Sequence, residues 1–421
     1  MVGRETGKAA MHITEVTSGI RQDDVIGFVG KMIGIRTDRT VAPVVPLITD
    51  MMEQAGMDVE VYETAVPKTD GETQPVVLGT LRGRSEKPLL CFNGHMDVVP
   101  VEFPDKWDSP PFEPVVRDGK LYGRGACDMK GGLGAMIMAA KALRDSGTTL
   151  KGSLTVAAVP GEESGGWGTE SMVKKKDWDA AVIGEPTEMS INPACNGITT
   201  FWVRITGKSS HASMPESGTN AIDKMTRVLT AFEAYREKLQ TRTHPLTGKP
   251  AFVNCIINGG WRSVIGADKC NLHITTHLVP GETARQRLSE VRVILEDIKK
   301  DDPEFAYDIL DWNDEPLTWP IPDSGPGRPK LDPTEISRDE PIVQSMIEAS
   351  EAVRGKSLPI GGTRYACDSP FFVNDAKVPA LAFGPGSIRQ AHTYNEWVDT
   401  GDLLEAAKIY TACAMLFLGT V

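Results

Sequence analysis

Five short clusters rich in acid or histidine lie far apart in this 421-residue sequence: GHMD at 94–97, GACDMKGG at 125–132, PGEES at 160–164, GEPT at 184–187 and QAHT at 390–393. His95, Asp128, one of Glu162 and Glu163, Glu185 and His392 offer imidazole and carboxylate donors with no thiolate, a set that suits Zn2+, Mn2+ or Co2+ without choosing among them. His95 and Asp97 are two residues apart, so on an extended segment they share a face and the Asp97 carboxylate is placed to hydrogen-bond the imidazole or a neighbouring group. The adjacent Glu162 and Glu163 leave one loop in different directions, so that one can hold metal while the other takes a proton. Asp128 can bridge two cations. Two divalent ions about 3.5–4 Å apart acidify a shared water and polarise an electrophile, so the chemistry implied is metal-assisted hydrolysis. Taken singly, an HxD pair, an EE pair or a GEPT is usually a surface turn. The ordered combination is what carries the reading.

Placement supports it. Leu89–Phe92 precedes His95, Ser153–Val159 precedes Glu162, Ala180–Ile183 precedes Glu185, and Pro379–Phe383 lies upstream of His392. Such short apolar runs, alternating with helical stretches, predict an α/β fold whose mostly parallel sheet is flanked by helices. Ligands gather in the crevice beyond the carboxyl ends of such strands, which brings distant loops together. Leu133, Met136, Ile137, Ala140 and Leu143 recur at helical spacing, which sets Asp128 at a helix start, where the helix dipole favours an ionised carboxylate. A further helix is expected over Pro46–Gln54, stopped at Gly56.

Composition narrows the classes. The length calls for more than one domain. A formal net charge of −12 argues against a nucleic-acid partner. No run approaches the ~20 apolar residues that span a bilayer, and MVGRETGKAAMHIT lacks a signal peptide's apolar core, so a soluble cytoplasmic protein without a membrane partner is expected. Seven cysteines without paired spacing fit reduced thiols.

After Cys195 the pattern changes. Residues 198–206, 251–258 and 270–279 read as strands and 219–240 and 283–300 as helices, an α+β segment holding none of the five clusters. It is expected to be an inserted domain at 197–310, within a catalytic domain made of 1–196 and 311–421. The Pro/Gly-rich stretch 315–333 reads as an irregular surface return, and the first ten residues as an extension. His273 and His277 fall on one of the strands, about 13 Å apart along it, too far to chelate one ion.

Jointly, GHMDVVP, GRGACDMKGG, PGEESGGWGT, IGEPT and FGPGSIRQAHTYNEWV resemble the dinuclear metallohydrolase family of acetylornithine deacetylase, succinyl-diaminopimelate desuccinylase, aminoacylase and glutamate carboxypeptidase. The resemblance covers essentially the whole chain and implies the family's metal-dependent exopeptidase-like fold. It also implies that His95 and Glu185 hold one metal, Glu163 and His392 the other, and Asp128 bridges them. Glu162 would be the general base and Asp97 would orient His95. The insert would be the family's lid and dimerisation domain, giving a homodimer or higher homo-oligomer. Its GKSSHASMPESGTNAI at 207–222 resembles the segment that sends a histidine into the partner's site, which makes His211 a candidate to stabilise an oxyanion.

Departures from the family fall among the substrate readers. HITTHLVPGE places His277 where family members commonly carry an arginine; GGWRSVIG supplies Ser263 where Asn-x-Ile-Pro is usual; and Arg364 and Tyr365 replace smaller or acidic residues. Arg364, Tyr365, His277, Ser263 and Asn254 are therefore the candidate substrate contacts. The leading expectation is hydrolysis of the C–N bond of a small carboxylate-bearing substrate, chiefly deacylation of an N-acyl amino acid, with two cations or only one in place. The alternatives are an aryl-amine hydrolysis releasing ammonia from an aminobenzoate such as 5-nitroanthranilate, as in one branch of the family, and a non-catalytic metal- or peptide-binding relative.

Overall fold

A computed structural model describes residues 11–67, 69–311 and 331–421. The first ten residues and most of the expected return at 315–333 lie outside them. Two compact units divide the chain, one formed by Met1–Ala194, Glu335–Thr363 and Cys367–Val421, the other by Cys195–Thr334 with Arg364–Ala366.

The middle of the first unit's nine-stranded sheet is parallel. Ser153–Val159, Leu89–His95, Ala180–Ile183 and Ala380–Ala382 lie side by side in that order, all pointing one way. These are the runs that read as continuous apolar segments, and all seven residues of Ser153–Val159 are buried. Strands covered on both faces have no solvent side to mark with polar residues. Thr73–Leu81 and Asp58–Ala65 extend one flank antiparallel, and Ile191–Cys195 joins the other flank antiparallel at Ala382 and Asn192. The helices Lys130–Asp145, Thr400–Leu418, Gln22–Ile33, Val45–Gln54 and Pro341–Arg354 cover the sheet and share its apolar core.

Helix Lys130–Asp145 begins with closely spaced glycines for a packing reason. A Cβ on Gly132 would come within 2.0 Å of the Gly184 carbonyl oxygen, so only glycine lets the helix start press against the turn that carries Glu185. Helix Thr400–Leu418 is capped by Asp399, whose carboxylate accepts from the Gly401 and Asp402 amides.

In the second unit a four-stranded antiparallel sheet has the order Ala251–Gly259, Lys269–Leu278, Gly197–Thr206, Ala306–Asp311. Helices Ala221–Leu239 and Ala284–Asp301 share a core with it that includes Phe201, Phe232, Phe252, Leu272, Val291 and Leu295. Asn220 caps the first helix, and Thr283 with Gln286 forms a reciprocal capping box on the second. His273 and His277 stand on a regular strand, with the His273 ring 4.9 Å from that of Trp202. All seven cysteines of the chain are free. Among the described residues no helix is long and apolar enough to cross a membrane.

Candidate metal centre

Strand Leu89–His95 delivers His95 to the carboxyl end of the sheet, fully buried. Its Nδ1 lies 2.9 Å from the backbone oxygen of Asp97. A carbonyl only accepts, so Nδ1 carries a proton and Nε2 faces the other donors. Asp128, in the turn before helix Lys130–Asp145, places Oδ1 at 3.0 Å from His95 Nε2 and Oδ2 at 3.2 Å from His392 Nε2. Glu163 Oε1 is 3.0 Å from the same His392 nitrogen, and Glu185 Oε1 is 3.9 Å from His95 Nε2.

Three groups of donor atoms therefore converge, each within 4.8 Å: His95, Asp128 and Glu185; Asp128, Glu163 and His392; and His95, Glu162 and Glu163. Asp128 belongs to both groups that contain only one member of the Glu pair or none, facing one imidazole with each oxygen. Glu185 Oε1 is buried with no hydrogen-bond partner. An orphaned carboxylate oxygen is costly unless a cation meets it, so this donor set fits a divalent ion.

The electrostatics agree. Burial opposes ionisation of Asp128, but hydrogen bonds from His392 and His95 outweigh it and hold the carboxyl below the usual range. Burial, reinforced by Asp128 and Glu162, pushes Glu185 well above it. Burial disfavours charge on His95 too, yet its bond to Asp128 and the fields of Asp97 and Glu185 raise it well above an ordinary imidazole. His392, where Glu163 and Asp128 likewise overcome burial, is pushed up to about 11.

Of the two partners left open for Asp97, the structure shows the neighbouring group. The Asp97 carboxylate does not hydrogen-bond the His95 ring: its Oδ1 stands 3.7 Å from Nδ1. It accepts instead from the amides of Gly161, at 2.8 Å, Glu162, at 3.3 Å, and Glu163, at 3.1 Å. Just past the strand end the Asp97 carbonyl faces the ring, and its side chain faces a loop with three amides to satisfy. Asp97 thus holds both the ring and the Glu162–Glu163 loop.

The remaining candidates belong to the second unit. His211 is exposed on a short strand, its Nδ1 2.7 Å from Ser213 Oγ. Ser263 is exposed in a turn, Asn254 sits on strand Ala251–Gly259 with a buried Oδ1 that has no hydrogen-bond partner, and His277 pairs across strands with Ala251 and Ile198. The Arg364 carbonyl accepts from Asn196 and the Tyr365 carbonyl from Cys195, while the Arg364 guanidinium lies against the turn at Gly248.

Two groupings were not read from the sequence. Asp368 is buried, accepts from Thr169 at 2.6 Å and Asn93 at 3.3 Å, and is raised to about 6 by burial. Glu396, four residues after His392, is fully buried and bound to Arg124 and to the turn that carries Asp128. Neither has a local signature, since an isolated acid beside Asn or Ser reads as surface.

Residues 91–416 match the model of Peptidase family M20/M25/M40. The N-formyl-4-amino-5-aminomethyl-2-methylpyrimidine deformylase of Bacillus subtilis (strain 168) is 29% identical over 353 residues, 80% of this chain and 81% of its own. The acetylornithine deacetylase of Proteus mirabilis (strain HI4320) is 31% identical over 374 residues, 86% of this chain and 87% of its own. Among solved structures, the di-peptidase Dug1p of Saccharomyces cerevisiae superposes with a TM-score of 0.75 at 15% identity, covering 97% of this chain and 98% of that one. The chain belongs to the M20/M25/M40 peptidase family and is a metal-dependent hydrolase of C–N bonds.

Proposed function

We propose that this enzyme is a deacylase, removing a small acyl group from the nitrogen of an N-acyl amino acid or a closely related amide. Two relatives of nearly full length are named for removing a formyl or an acetyl group. In this reading His95 and Glu185 hold one divalent cation, Glu163 and His392 the other, and Asp128 both. Bound cations would supply Lewis acidity, making a water acidic near neutral pH and polarising the substrate carbonyl.

One observation carries the proposal: Glu162 places a nearly buried carboxylate within 4.8 Å of the His95 and Glu163 donors, beyond what the other two groups need. Glu162 takes the proton from the attacking water and hands it to the leaving nitrogen. Asp97 holds its loop through the amides of Gly161, Glu162 and Glu163. His211 is assigned to the developing oxyanion, and Arg364, Tyr365, His277, Ser263 and Asn254 to the substrate.

The test is product analysis with Zn2+- and Mn2+-loaded protein on pooled N-formyl, N-acetyl and N-succinyl amino acids and pooled 2-aminobenzoates. Free amine plus carboxylic acid is expected. Ammonia plus a hydroxybenzoate would replace deacylation with the aryl-amine reaction, and no metal-dependent turnover would leave a binding protein. Glu162→Ala should keep its metal and lose about 10²–10⁴-fold in kcat; unchanged turnover would remove the base.

A homodimer through the second unit completes the proposal. Strand Ala251–Gly259 is at the edge of its sheet and exposes Val253, Cys255 and Ile257, a surface suited to a second copy. A single-chain mass in sedimentation across micromolar concentrations would overturn it.

A further inference from the structure

The antiparallel pair Lys120–Tyr122 and Trp397–Asp399 opens into a fork. One arm runs forward through Gly123 to Asp128, and the other runs back through Thr393 to His392. The Glu396 side chain fills the gap. Its Oε1 accepts from the amides of Cys127 at 2.9 Å and Asp128 at 3.0 Å; its Oε2 accepts from the amide of Gly125 at 3.0 Å and from Arg124 Nη1 at 2.7 Å. Arg124, itself buried, also donates from Nη1 to the carbonyl of Thr393 at 3.2 Å, next to His392, and its guanidinium lies 5.3 Å from the centre of the Trp107 ring. Each arm is gripped by a residue of the other.

Stability alone is a poor reason for this pair, because a buried ion pair is often no better than apolar side chains of the same volume. An apolar group could not, however, accept from three amides turned inward within four residues. Both oxygens of Glu396 are committed to nitrogen donors, so it is not placed to hold a cation. We infer that Glu396 and Arg124 are positioning residues that fix Asp128 relative to His392 and so set the spacing of the two cation sites. This rests on the metal reading proposed above.

Glutamine at 396 has one acceptor oxygen, so its NH2 must face the amides of Cys127 and Asp128 or the Gly125 amide and the Arg124 guanidinium. The experiment compares the parent, Glu396→Gln and the double variant Glu396→Gln/Arg124→Met, which leaves no unpaired charge. Zn2+ affinity is measured by chelator competition, the Co2+ absorption spectrum reports donor geometry, and melting of the metal-free protein reports stability. Glu396→Gln should bind Zn2+ about 10–100-fold more weakly with an altered Co2+ spectrum. The double variant should regain metal-free stability but not affinity. Parental affinity in Glu396→Gln, affinity that returns together with stability, or failure of both variants to fold would each overturn the inference. A parent that binds no cation would overturn the metal reading and this one with it, whereas a parent that binds beside unaffected variants overturns only the positioning role of Glu396 and Arg124.

Discussion

Asp128 meets one imidazole with each oxygen, and both rings are held above the ordinary histidine range by the acids around them. Below those raised values each ring carries a proton, so at pH 7 a cation must displace protons to bind, and affinity should rise as pH rises. Calorimetry of Zn2+ binding at pH 7 should give a heat that varies with the buffer's ionisation enthalpy in the sense of proton release; a buffer-independent heat would show neutral rings. The meeting of these donors was legible in the sequence, because His95, Glu163 and Glu185 directly follow apolar runs that end at one edge of a parallel sheet, His392 lies downstream of another, and Asp128 stands at a helix start. The role of the Asp97 carboxylate was not, since a two-residue spacing names a shared face without saying whether side chain or carbonyl reaches the ring. Glu396 was hidden for a related reason: its partners are backbone amides, which no residue pattern records.

Helices and strands carry their own tests. The oxygen that a Gly132→Ala methyl would meet belongs to the Gly184 backbone, so no side-chain rotation relieves the clash. The helix start or the Glu185 turn must shift, at a cost of about 1–3 kcal/mol. Denaturant unfolding should register that loss and chelator competition a weaker cation; parental values for both would mean the turn yields freely. In the second unit, burial lowers His273 to about 4. Between that value and the ordinary 6.5 the unfolded chain binds the proton that the folded one refuses, so stability falls as pH drops through this window, by about 3 kcal/mol at the limit. His273→Phe should flatten the difference in urea midpoint between pH 7 and pH 4.5, and an unchanged difference would assign the acid sensitivity elsewhere. Helical periodicity revealed Lys130–Asp145, Ala221–Leu239 and Ala284–Asp301 to within a few residues but not Pro341–Arg354 or Thr400–Leu418, the latter apolar on nearly every face, and the parallel strands showed as unbroken apolar runs. The antiparallel flanks were not foreseen, because Thr73–Leu81 is also buried along most of its length and burial does not encode strand direction.

At the scale of the whole molecule, the chain builds two units with separate apolar cores and keeps the candidate metal donors in the first. Strand Ala380–Ala382 has a particular place in that first unit: it lies between Ala180–Ile183 and Ile191–Cys195, although the second unit's sequence separates it from both. Strands emerge from the ribosome in order, and pairings between distant segments form late. Translation therefore leaves a gap in the middle of the sheet until residue 382 has emerged, and His392 follows only after that. A chain released earlier has an unpaired, apolar strand edge for quality control to recognise. It also lacks His392, so the candidate donors cannot all meet until the chain past this strand has been made.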